Sequence, residues 1–189
     1  MAVKRTILGI VLATIALYFW GFLYWGLSPL PYRSLRRATD PATAGEALKK
    51  YFPENGAYLF PGRFDDEAEA EKVYLAGPVG ILQMTSVDGR PAFDPRIMLN
   101  GFLVNAIVVC LIAVLLRIAV KALPAYGARV KFAALAGLTC AFLADIGEVA
   151  WWDVGLAWNL HKAIYTVSAW VVTALVLAKF VGGSREAGS

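Results

Sequence analysis

The sequence predicts an all-α transmembrane protein, an antiparallel four-helix bundle with a small α+β insert outside the cytoplasm between helices 1 and 2. Three observations predict it. Four long, charge-poor apolar runs cover most of the chain. One polar, proline-rich stretch interrupts them, between the first run and the second. Lysine and arginine collect in the short segments that would all lie on one side.

Composition supports the membrane reading. The 189-residue chain is 59% hydrophobic with a mean hydropathy of +0.59, against about 45–50% apolar for ordinary soluble domains. The net charge of +4 is the surplus that orients membrane proteins. No basic and aromatic stripe of the kind that binds nucleic acid is present, so no nucleic-acid partner is expected. The two cysteines, Cys110 and Cys140, fall in apolar runs and form no CxxC pair. They read as small buried hydrophobes.

The first span, 6–27, carries no charge and follows Lys4 and Arg5. It is longer than the core of a signal peptide and ends in Tyr18, Phe19, Trp20, Phe22, Tyr24 and Trp25. Large aromatics suit an interfacial belt, not a cleavage site, so residues 1–27 are expected to be an uncleaved anchor. Residues 28–96 form the insert, with eight of the nine prolines, ten acids and nine bases. Within it, 42–51 predicts a short helix capped near Thr39 or Asp40, and 56–60 a strand ending at Pro61-Gly62. Residues 65–74 predict a charged helix, and 79–87 a strand ending at Asp88-Gly89. Residues 97–181 hold the other three spans: 97–116, 132–152, and one from 158–161 to 181. The tail, 182–189, is polar and cytoplasmic.

With the N-terminus inside, the cytoplasmic pieces hold Lys4, Arg5, Arg117, Lys121, Arg129, Lys131, Lys179 and Arg185 against Glu186 alone. Both termini are therefore expected in the cytoplasm and the insert in the periplasm or outside the cell. Arg33, Arg36 and Arg37 are a local exception.

Between helices in lipid, close packing of small residues replaces the hydrophobic drive. Ala133, Gly137 and Ala141 recur every fourth residue on the third span and lead to Asp145. Gly9 and Ala13 are a shorter rail on the first. Asn100 and Asn105 of the second span read as hydrogen-bonding glue between helices.

Asp145 and Glu148 are the residues that can carry chemistry, since carboxylates within a span are costly and must face protein, water or a partner. Across the hairpin, Asp153, His161 and Lys162 lie at similar height, with Asn159 nearby. The candidate cluster Asp145, Glu148, Asp153, His161, Lys162 has three readings, in this order. Lys162 pairs with a carboxylate and ties the hairpin. The group relays protons or ions, or binds a polar substrate. It docks a larger membrane complex. A facial triad of one histidine and two carboxylates ranks below these, because HxxxH and ExxH spacings are absent. No metal and no cofactor is expected, and one histidine cannot supply bis-histidine haem ligation. GxSxG, HExxH, Walker and GxGxxG motifs are absent, so no catalytic residue is assigned. Trp151, Trp152 and Trp158 read as belt, with a chlorin, quinone or lipid pocket as the sharper alternative.

Several segments carry a resemblance: FWGFLYWG (19–26), YFPENGAYLFPG (51–62), GPVG (77–80), LPAYGARVKF (123–132) and WVVTALVLAKF (170–180). In these the chain resembles a family of small bacterial four-span membrane proteins of unknown function. The resemblance implies a bacterial inner-membrane protein and no particular reaction. Four spans with a long first outer loop are also similar to the claudin layout, but the claudin tryptophan and cysteine pair are missing from 28–96. Two functions are weighed. One is a non-enzymatic accessory or scaffold subunit, whose partner is a larger membrane complex or a second copy. The other is a small transporter or ion-coupled protein using Asp145, Glu148 and His161. A membrane enzyme with the same cluster as acid and base groups is weaker than both.

Overall fold

The computed structural model describes residues 2–181; the tail 182–189 lies outside the described residues. The chain is mostly helical, with one two-stranded sheet. In order it forms α1 (Ala2–Gly21), continued as a π-helix (Phe22–Leu27), and a 3-10 turn (Pro31–Ser34). Then come α2 (Pro41–Tyr51), β1 (Gly56–Phe60), α3 (Glu67–Ala76) and β2 (Gly80–Met84). The chain ends with α4 (Pro95–Ala119), α5 (Tyr126–Cys140), a second π-helix (Ala141–Ile146), α6 (Gly147–Trp152) and α7 (Leu156–Val181). Four continuous helical stretches are long and apolar enough to cross a membrane: Val3–Leu27, Pro95–Ala119, Tyr126–Trp152 and Leu156–Val181. The shortest, at 25 residues, spans about 37 Å at 1.5 Å per residue, more than the ~30 Å of hydrocarbon.

The described residues divide into two compact units, 2–35 with 95–181, and 36–94. In the first, α7 is the common neighbour. It packs against α1 on one side and α5 with its π continuation on another, while α4 lies mainly along α1. Small residues make these approaches possible. A Cβ on Gly9 would stand 2.6 Å from Phe180 Cβ, and one on Gly137 2.6 Å from Trp170 Cβ. Both distances are below any real contact, so the helices meet only because these positions lack a side chain. The core is made of Ala13, Leu17, Val109, Ile112, Ala113, Leu116, Ala133, Ala174 and Leu177. α1 and α7 run antiparallel, since Arg5 meets Lys179 at one end and Tyr24 meets His161 at the other.

The third span begins at Tyr126, not Phe132. Gly127 as a turn residue and Arg129 and Lys131 by charge signal a loop, but they mark the end of the apolar run and not of the helix. Arg129 is buried and its guanidinium donates to the carbonyls of Leu123, Pro124 and Ala178. The first two belong to the turn before the helix and the third to the last turn of α7. The cysteines also differ from expectation. Cys110 and Cys140 are both free and exposed on the helix surface, where a small apolar side chain meets hydrocarbon as readily as a core. Asn100 is exposed and Asn105 half-buried, and neither side chain hydrogen-bonds among the described residues. Neither acts as glue within the chain.

In the unit 36–94, Asp40 caps α2 by accepting from the amides of Ala42 and Thr43, and Asp66 caps α3 by accepting from that of Glu69. β1 and β2 pair antiparallel, with Gly56 opposite Met84 and Tyr58 opposite Leu82. Phe52 stacks edge-on against Tyr58 and Phe60. The opposite face, with Leu59 and Ile81 paired across the strands, is exposed. No residue of 36–94 is buried.

Candidate functional site

Asp145, Glu148, Asn159, Lys162 and Thr166 gather around the first half of α7, flanked by the two π-helices. π-Turns are uncommon and frequent at functional sites, and both here have a geometric effect. Residues four apart in an α-helix drift by about 40° around the axis, so a rail spaced 133, 137, 141, 145 would soon turn away. The wider turn over Ala141–Ile146 reverses the drift. Ala133, Gly137, Ala141 and Asp145 are consequently all buried. The rail therefore delivers a carboxylate into the protein.

Asp145 is met there by α7. Thr166 Oγ1 donates to its Oδ2 at 2.7 Å, and Lys162 Nζ lies 3.8 Å from its Oδ1. Lys162 also donates to Glu148 Oε2 at 2.6 Å and to Asn159 Oδ1 at 3.1 Å. Asn159 is buried and donates in turn to the carbonyl of Gly155 at 3.3 Å. Asp145 and Glu148 project to the same side at i, i+3, and the intervening ammonium bridges both. The Asp145 side chain is 9% exposed, Glu148 48% and Lys162 28%. The Asp145 contact is thus the desolvated one, and that with Glu148 is half in solvent.

The other two members of the predicted cluster lie elsewhere. His161 turns from the carboxylates towards α1. Tyr24 Oη sits 3.0 Å from the His161 carbonyl and 3.2 Å from its Nδ1. The hydroxyl has one proton, and the carbonyl can only accept it. With that proton on the carbonyl, the hydroxyl oxygen is free to accept from an Nδ1–H. Asp153 is exposed in the turn before α7, at φ 50°, a left-handed conformation that aspartate tolerates better than most residues. Among the described residues no three His, Cys, Asp or Glu side chains converge as metal ligands.

Around His161 lies a run of aromatic rings. Trp25 meets Tyr24, Tyr32, Trp158 and Tyr165 at centroid separations of 5.0–6.5 Å, and Trp20 donates to Ser168 Oγ at 3.0 Å. These rings pack on one another within the unit. Trp151 and Trp152 point outward, 86% and 60% exposed, as an interfacial belt requires.

Sequence reasoning missed Thr166 and Tyr24 as partners. A threonine in a span signals nothing by itself, and Tyr24 reads as belt. The 21-residue gap between Asp145 and Thr166 could have found the first, because a hairpin of two antiparallel helices brings such positions to the same height. No protein-family model, curated protein or solved structure matches this chain, so its own residues carry the functional reading.

Proposed function

We propose that this is an integral protein of a bacterial inner membrane with a non-enzymatic role, an accessory or scaffold subunit acting at the face that holds the insert. In this reading its four spans form an antiparallel four-helix bundle. Both termini face the cytoplasm, and 28–96 lies on the far side. The charge asymmetry supports that orientation, because Lys4, Arg5, Arg117, Lys121, Arg129, Lys131 and Lys179 fall at the cytoplasmic ends.

The observation that carries the role is the closure of the Asp145 cluster. Lys162 bridges both carboxylates and Asn159, and Thr166 donates to Asp145. A relay needs a group with an open partner; here the ammonium and the buried carboxylate are engaged within one hairpin. The cluster is thus a tie between α7 and the helix before it. The insert supports the scaffold half of the reading. Its part 36–94 has capped helices and a paired sheet, yet buries no residue and exposes Tyr51, Leu59, Leu75, Val79 and Ile81. An ordered surface of this kind suits a partner, either a larger membrane complex or a second copy. Purification in mild detergent should bring down a stable partner or a defined oligomer. A clean monomer across several detergents would contradict the reading.

One observation favours the second reading, a small ion-coupled transporter. The cluster holds two carboxylates and one ammonium, a formal excess of one negative charge, and Asp145 sits on a π-helix inside a span. That reading requires Asp145→Asn and Glu148→Gln to abolish charge movement in proteoliposomes while leaving thermal stability intact. The structural reading requires Asp145→Asn to lower stability.

A further inference from the structure

We infer that the end of the helical unit formed by the start of α1, the end of α4, the start of α5 and the end of α7 is a binding surface for the headgroups of anionic phospholipids. The grouping of these four ends follows from contacts. Arg5 donates to the carbonyl of Lys179, joining the α1 start to the α7 end. Tyr126 Oη donates to the Leu175 carbonyl at 3.0 Å, and Arg129 to that of Ala178 at 3.0 Å, joining the α5 start to the same place. Tyr18, near the far end of α1, meets Met98 and Phe102 at the start of α4, so the end of α4 returns to the start of α1.

Seven cations lie at this end: Lys4, Arg5, Arg117, Lys121, Arg129, Lys131 and Lys179. The described residues 2–27, 97–144 and 167–181 contain no acid. Two of the seven are engaged by backbone carbonyls of the protein. Arg129 is buried on three carbonyls, and Arg5 holds the last turn of α7. The other five, Lys4, Arg117, Lys121, Lys131 and Lys179, are exposed and have no side-chain partner among the described residues.

Five exposed cations at one end, with no acid beside them among the described residues, attract counter-charge. Their height says where it comes from. α4 is 25 residues long, about 37 Å, so a helix whose middle sits in ~30 Å of hydrocarbon sets Arg117 at the hydrocarbon edge, within side-chain reach of lipid phosphates, with Lys121 just past the helix end. A zwitterionic headgroup offsets its phosphate with its own cation. An anionic one does not, and each basic residue near such a surface gains from it. The surface therefore selects anionic over zwitterionic lipid. The inference rests on the helical unit alone and is independent of the role proposed for the Asp145 cluster.

The test uses the full chain in mild detergent, with native mass spectrometry of retained lipid. Phosphatidylglycerol and phosphatidylcholine of identical acyl chains compete at equal concentration. Phosphatidylglycerol should be retained preferentially, by about fivefold for each cation that engages a headgroup. The preference should shrink as ionic strength rises from 0.1 M towards 1 M, where the Debye length falls to about 3 Å. The variant K4Q/R117Q/K121Q/K131Q/K179Q should lose the preference, whereas K49Q/K50Q in the insert should keep it. Should the fivefold variant fail to fold, the salt dependence of the natural chain decides the matter. Equal retention of the two lipids, or a preference unmoved by salt, would overturn the inference. So would displacement of phosphatidylglycerol by millimolar inorganic phosphate, which would mark a free-anion site, or by an acidic protein co-purifying on this face.

Discussion

The two ends of α7 are fixed by cations in opposite ways. At its start, Lys162 is held by side chains, the carboxylates of Asp145 and Glu148 and the amide of Asn159. At its end, Arg129 and Arg5 reach it from α5 and α1 and bind only carbonyls, those of Ala178 and Lys179. The first is an ion-pair tie between neighbours in a hairpin. The second satisfies the orphan carbonyls and the negative pole of a helix terminus, using charge from elements more than 45 residues distant in sequence. Charge written as opposite pairs is thus local here, while charge without an apparent partner makes the long-range connections.

The largest effect should come from breaking the carbonyl-bound end. Arg129→Met removes three charge-assisted bonds and takes that partner from the buried Ala178 carbonyl, so thermal denaturation in detergent should show a loss of about 3 kcal/mol. Arg129→Lys should recover only part of it, since an ammonium cannot reproduce the planar fork. At the other end, Lys162→Met leaves Asp145 buried with Thr166 as its remaining partner and should cost about 2 kcal/mol. Glu148→Gln, at a half-exposed position, should change stability by no more than about 0.5 kcal/mol. Between the ends, Gly137→Ala drives a methyl into Trp170 and should cost about 1–3 kcal/mol by the same measurement. Gly45→Ala, in α2 with nothing within 4 Å of the added carbon, should instead gain up to about 1 kcal/mol.

The smallest effect concerns a cap that touches neither end. The Thr43 hydroxyl, with the Thr43 and Ala42 amides, holds the Asp40 carboxyl below its ordinary value. A depressed carboxylate contributes stability that is present above its unfolded value, about 3.9, and is lost as pH falls through the folded one. Hydrogen exchange of the Ala42 and Thr43 amides should therefore stay protected down to about pH 4 and lose protection below it. Thr43→Val should move that loss to higher pH.

The sequence made some of this legible and hid the rest for physical reasons. Four apolar runs announced four helices, because length and hydropathy are local properties. The capped helix after Asp40 and the strand Gly56–Phe60 were readable from a cap and a turn dipeptide. The Asp145–Glu148–Lys162 group was visible because charge in a span is conspicuous. Arg129 was not: its partners are backbone carbonyls, which every residue carries and no sequence marks. Height along the helix groups His161 with the carboxylates, yet height does not say which neighbour a side chain turns to, and Tyr24 lies on the other side. The π-helix that buries Asp145 left no trace in composition either.

The central claim is that the Asp145–Lys162 group ties two helices together. A double-mutant cycle of Asp145→Asn and Lys162→Met, read by thermal stability in detergent, tests it most directly. The account predicts that each single change destabilises. It also predicts that the double variant loses less than their sum, with a coupling of at least about 1 kcal/mol. Two single variants as stable as the natural protein, with additive effects, would contradict it.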